Sequence, residues 1–212
     1  LDKLKNNLEL FSSEIINVNE KDILNAQNMN LSSAMIDRLS LNKDRILGMI
    51  QSLDEIIKLK DPVGNIISEW DRPNGLHIKK ISVPLGVIGI IYESRPNVTV
   101  DASAIAIKAG NAVILRGGKD SFHSSQKLNE IINLSFNSAG LPNNIVQMIS
   151  TPDRIAVDEM LKLDNYIDVI IPRGGKGLIK NVKENSSIPV IKHLDGICHV
   201  FVEKNADIKK AC

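Results

Sequence analysis

The stretch Val87-Ile88-Gly89-Ile90-Ile91-Tyr92 constrains this chain more than any other, because it is apolar on consecutive positions. A strand with one wet face alternates apolar and polar residues, whereas one that is apolar throughout belongs in a parallel sheet covered on both faces. Parallel strands need crossovers, and the sequence after residue 92 supplies them. It reads as helix Val98 to Ala109, strand Ala112 to Leu115, helix Ser121 to Ala139, strand Ile145 to Ile149, helix Arg154 to Leu163 and strand Ile167 to Ile171. A glycine turn then opens a helix over Gly177 to Lys183, and strands Val190-Ile191 and His199 to Val202 close the pattern. The expected fold is α/β, with a doubly wound, Rossmann-type sheet.

Two different textures precede this sheet. Residues 1–60 read as helical, with Leu4, Leu8, Phe11, Ile15 and Ile16 at helical spacing. Ile46, Leu47, Ile50, Leu53, Ile56 and Ile57 repeat the pattern behind Asn42, a suitable helix cap. Asp61-Pro62-Val63-Gly64 stops that helix. Ile66 to Trp70 and Leu76 to Ile81 then flank Asp71-Arg72-Pro73-Asn74-Gly75, which predicts a β-hairpin with a polar face, an arm on the surface. The expected divisions are 1–60, helical; 61–82, arm; and 83–212, nucleotide-binding sheet.

Composition removes several classes of function. Apolar residues at 43% and charged residues at 24% of 212 give enough core for an independent fold. A net charge of +1 gives no electrostatic case for nucleic acid or an anionic membrane, and 3% aromatics leaves few stacking surfaces for bases. Mean hydropathy is -0.03, and no uncharged apolar run is long enough to span a bilayer. The opening Leu1-Asp2-Lys3-Leu4-Lys5 leads into an amphipathic charged stretch, unlike a signal peptide. Cys198 and Cys212 are too few for a disulfide framework, so a reducing, cytoplasmic setting is expected.

Two glycine turns follow strands: Arg116-Gly117-Gly118-Lys119 and Arg173-Gly174-Gly175-Lys176-Gly177. Such turns at the carboxyl ends of parallel strands let backbone approach a phosphate, although each alone could equally be a structural junction. Their flanking Arg and Lys favour the ribose 2′-phosphate of NADP over the free hydroxyls of NAD. Tyr92-Glu93-Ser94-Arg95-Pro96-Asn97 places polar groups where open sheets bind ligands, or else forms a loop with Asn97 as the cap of the next helix. Cys198 and His199 are neighbours on an expected strand and point to opposite faces, which makes Cys198 a small buried residue and not an activated nucleophile. No metal-ligand spacing is present.

Taken in order, Asp61 to Gly64, Pro73 to Leu76, the whole of Val83 to Asp101, Ile114 to Gly118, Ile171 to Ile179 and His193 to Val200 resemble the γ-glutamyl phosphate reductases, within the aldehyde dehydrogenase superfamily. The resemblance covers almost the whole chain, and Val83 to Asp101 is its most specific part. It implies an aldehyde-dehydrogenase-like fold and NADPH-dependent reduction of γ-glutamyl phosphate to glutamate 5-semialdehyde and phosphate, in proline biosynthesis. It implies homo-oligomers, with the hairpin as the oligomerisation arm. By position it assigns Arg116 and Lys119 to the adenosine ribose and Gly174, Gly175 and Gly177 to the turn near the pyrophosphate, with Gly117, Gly118 and Arg173 also among the cofactor-binding residues. Asn97 falls in the loop that carries an oxyanion-stabilising Asn, and His193 near the general-base Glu of hydrolytic relatives. The nucleophilic cysteine of such enzymes lies in a segment reading N-A-K-x-Q-R-x-x-x-C-N, beyond Cys212, so the catalytic domain is expected to be missing and the chain inactive alone. The alternatives are a non-catalytic nucleotide-binding or oligomerisation remnant, and a related acyl-CoA or aldehyde dehydrogenase.

Overall fold

In the computed structural model, which describes residues 1–193, 199 and 201–211, four helices precede the sheet: α1 (Asp2–Leu10), α2 (Ser12–Asn28), α3 (Ser33–Leu39) and α4 (Lys43–Lys58). Asn42 caps α4 as expected, its side-chain oxygen accepting from Arg45 N at 2.8 Å. Leu4, Leu8, Ile15, Ile46, Met49 and Leu53 are buried and pack against the sheet's own helices in one core. The helical segment is thus one layer of the α/β unit.

The hairpin pairs β1 (Ile66–Asp71) antiparallel with β2 (His77–Ile81) in a separate two-stranded sheet. All of β1 is exposed and only Ile78 of β2 is partly covered.

The main sheet contains β3 (Val87–Tyr92), β4 (Ala112–Arg116), β5 (Val146–Met148) and β6 (Val169–Arg173), parallel and in the order β5-β4-β3-β6. Residues 88–92 of β3 are all buried, as their unbroken apolar run requires. Crossover helices α5 (Asn97–Lys108), α6 (Phe122–Ser138) and α7 (Ile155–Met160) alternate with the strands, and α8 (Lys176–Asn185) follows β6. One core, containing Leu115, Leu128, Ile132 and Phe136, covers the face toward α5 and α6. A second, containing Ile91, Met160, Ile170 and Val182, covers the other. The chain runs β3 to β4 to β5 in one direction, then returns to place β6 on the other side of β3. The order therefore reverses between β3 and β6.

The last two expected strands are not found among the described residues, and Val200 lies outside them. Val190 makes only an isolated parallel bridge to Ile170, and His199, Phe201 and Val202 are not in a strand. Cys198 and Cys212 lie outside the described residues. A last helix, α9 (Ile208–Ala211), closes the described chain. Among the described residues no helix is long and apolar enough to cross a membrane.

Candidate nucleotide and substrate crevice

Where strand order reverses in a doubly wound sheet, the loops on either side part and leave a crevice at the carboxyl ends of the strands. That position, beyond β3 and β6, holds a cavity of about 750 Å³ lined by Tyr92 to Arg95, Pro172 to Gly175 and His193, among others. The turn Gly174-Gly175 lines this cavity and leads directly into α8. The N–H that precedes the helix already has a partner: Gly175 N donates to Glu93 Oε2 at 2.8 Å. A Cβ at residue 174 would stand 2.8 Å from both the Glu93 carboxylate carbon and Leu178 Cδ2, so any side chain there would displace the ends of Glu93 and Leu178. Gly177, expected in the turn, lies inside α8 with nothing within 4 Å of a Cβ, and the helix begins at Lys176.

The loop after β3 is held from several sides. Glu93 N donates to Arg173 O at 3.1 Å, and Ser94, with a left-handed φ of 47°, donates from Oγ to Asp120 Oδ2 at 3.0 Å. A left-handed serine is a costly conformation that persists only where its surroundings fix it. Tyr92 is buried, with its hydroxyl 2.7 Å from Thr99 Oγ1, and burial raises its phenol above the ordinary range. The expected role of Asn97 as helix cap is corrected: Pro96 takes the cap position, and Asn97 is the first residue of α5. Its amide instead donates to Asp101 Oδ2 at 3.1 Å, one turn along the helix. Burial raises the Asp101 carboxyl, against the hydrogen bond from Asn97, and Asp101 Oδ1 is buried with no partner.

The first glycine turn separates its two cations. Arg116 is 8% exposed, and its guanidinium donates to Gly117 O at 3.0 Å, Pro152 O at 2.9 Å and Asp153 O at 3.2 Å. Burial, then the neighbouring Arg154, lowers its pKa. Arg116 therefore ties the turn after β4 to the loop after β5. Lys119 faces a cavity of about 600 Å³ with Asn25, Met29, His123 and Thr151. Gly117 and Gly118 pack close to Tyr92 and to the backbone of Ser94, which a Cβ would crowd at 3.2 Å. The two glycine turns are thus brought to one edge of the sheet, with the strained β3 loop between them.

Sequence reasoning missed the cap of α6. Ser121 precedes α6 without a side-chain cap of its own. The cap comes from Asp22 on α2, which accepts from His123 N at 3.1 Å, Ser124 N at 2.8 Å and Ser124 Oγ at 2.6 Å. Asn19, one turn earlier, donates to Leu39 O and Ser124 Oγ and accepts from Leu41 N. The signal was available: Asn19 and Asp22 continue the buried stripe of α2 between Ile15 and Ala26.

Residues 14–212 match the model of the aldehyde dehydrogenase family. The chain belongs to that family. As an aldehyde dehydrogenase family member it is 52% identical over 212 residues to a γ-glutamyl phosphate reductase of Bartonella tribocorum, covering all of this chain and 52% of that protein. The crystal structure of γ-glutamyl phosphate reductase from Thermotoga maritima superposes with a TM-score of 0.90 at 42% identity, over 99% of this chain and 50% of the other. That of Saccharomyces cerevisiae gives 0.83 at 33% identity, over 98% and 53%. The chain spans about half the length of the curated relatives it matches. The family bears out the aldehyde-dehydrogenase-like α/β fold expected from the sequence.

Proposed function

We propose that this chain is the dinucleotide-binding part of a γ-glutamyl phosphate reductase, an oxidoreductase of proline biosynthesis in a cytoplasmic setting. The observation that carries the reading is the crevice at the β3/β6 reversal, with a glycine turn and a helix start opening onto it. NADP(H) fits these residues: the Gly174-Gly175 turn would hold the pyrophosphate, and Lys119 would provide a cation for the ribose 2′-phosphate. Gly117 and Gly118 keep the first turn close to the β3 loop, Arg116 braces that turn, and Arg173 anchors the base of the second. NADPH supplies the hydride that takes an acyl group to an aldehyde. Asn97, oriented by Asp101, is assigned to the acyl oxygen. The 212-residue chain alone is expected to bind NADPH without turnover.

Fluorescence titration checks this. NADPH is expected to bind more tightly than NADH, and Lys119→Ala to weaken NADPH about tenfold while leaving NADH unchanged, as loss of one charge-assisted contact predicts. Equal affinities in the parent chain would remove the basis for preferring NADP.

The exposed arm favours an oligomer as well. Ile66, Ile67, Trp70 and Ile81 are large apolar side chains open to water on a two-stranded sheet that packs on little else. Light scattering is expected to show a dimer or larger species that Ile67→Asp with Trp70→Asp disperses. A parent chain that is monomeric at high concentration would rule out the arm as an assembly element.

A further inference from the structure

A second cavity, of about 500 Å³, lies between α3, α4 and the start of α5; the reductase reading uses Asn97 and Asp101 on its wall and leaves the rest of its lining unassigned. Its wall carries charge of both signs. Arg45 is neutralised there by Asp37, at 2.9 Å. Arg38 and Arg95 have no ion-pair or hydrogen-bond partner for their guanidinium groups among the described residues, and Asp44 has none for its carboxylate. Asp101 has one oxygen on Asn97 and the other unpartnered. Arg38 and Arg95 line this cavity and the β3/β6 crevice alike, so both residues border the two spaces. Arg95 is set there by the strained, tethered Ser94 beside it.

We propose that this cavity receives the α-amino-acid head group of the substrate, with Arg38 and Arg95 on its α-carboxylate and Asp44 and Asp101 facing its ammonium. Planar guanidinium groups suit a carboxylate, and a zwitterion needs both signs within one small space. A head group held there shares the cavity with Asn97, the first residue of α5, while Arg38 and Arg95 also border the β3/β6 crevice that holds the Gly174-Gly175 turn. The assignment rests on the reductase reading and adds the residues that make it specific for an α-amino acid over a simple aldehyde or acyl group.

The test is an amide-resolved NMR titration of the 212-residue chain with L-glutamate, with 4-aminobutyrate (which lacks the α-carboxylate) and with glutarate (which lacks the ammonium). L-Glutamate is expected to perturb residues around Arg38, Arg95 and Asp101, and each of the other two to bind at least tenfold more weakly. Arg38→Gln and Arg95→Gln are each expected to weaken L-glutamate about tenfold, and to do so more than they weaken NADPH. The same spectra report whether each variant is folded. Variants that lose NADPH while keeping L-glutamate would assign the arginines to the nucleotide and overturn the inference. A parent chain that binds NADPH and not L-glutamate overturns it alone, and one that binds neither overturns the reductase reading with it.

Discussion

Asp22→Ala is expected to lower the stability of the chain by about 3–5 kcal/mol, measured as the shift of the urea or thermal midpoint. The carboxylate accepts three hydrogen bonds at the start of α6, and two of the donors are backbone N–H groups with no other partner there. Asp22 is 1% exposed, so water does not replace it. Loss of a buried partner leaves the donors desolvated and unsatisfied, which costs more than the net value of the bonds. The same change removes a negative charge from a helix N-terminus, a further fraction of a kcal/mol. Asp22→Asn retains one acceptor and is expected to recover about half of the loss. A midpoint for Asp22→Ala within about 1 kcal/mol of the parent would show that the cap is not a stabilising contact.

The second large effect is expected at Gly86→Ala, about 2–4 kcal/mol destabilising. Gly86 enters β3 with φ of 117°, a conformation that side-chain-bearing residues rarely adopt. A Cβ there would also stand 2.8 Å from the Asp168 carboxylate carbon, and nearer still to Oδ2. That carboxylate cannot simply swing aside, because Oδ2 accepts from Val87 N at 2.7 Å while Asp168 N donates to Val87 O. The strand entrance is fixed further by Asn111 Oδ1, which accepts from both Leu85 N and Gly86 N. Combining Gly86→Ala with Asp168→Ala separates the two causes. The overlap disappears in the double variant and the positive φ remains, so the two costs are expected to be less than additive. Strict additivity would mean that Asp168 contributes nothing to the penalty.

The parallel sheet was legible because an unbroken apolar run has few other destinations, and β3 is buried as that run demands. The hairpin followed from Pro73-Asn74-Gly75 between two alternating segments. What escaped the sequence depended on partners far along the chain. Arg116 reads as a free cation beside a glycine turn until the carbonyls of Pro152 and Asp153, more than 35 residues later, close over it. Asn97 has the composition of a cap, but the proline before it already holds the cap position. Arg38 and Arg95 share no motif; only the packing of α3 and α4 beside the β3 loop places them on one wall. Asn19 and Asp22 were readable in principle, as polar residues on an apolar stripe, where a buried network is the physical expectation.

The contact between Glu93 and Gly175 N–H has a consequence for ligand exchange. An incoming anion at the start of α8 does not meet bare amides; it competes with a carboxylate that the protein itself carries on an adjacent loop. Binding at that turn is a substitution of one negative group for another, and its free energy is the difference between the two. Affinity is moderated by this internal competitor, and the helix start keeps a partner through every cycle of arrival and departure. Because Glu93 shares its loop with Ser94 and Arg95, displacing the carboxylate pulls on the segment that also borders the neighbouring cavity.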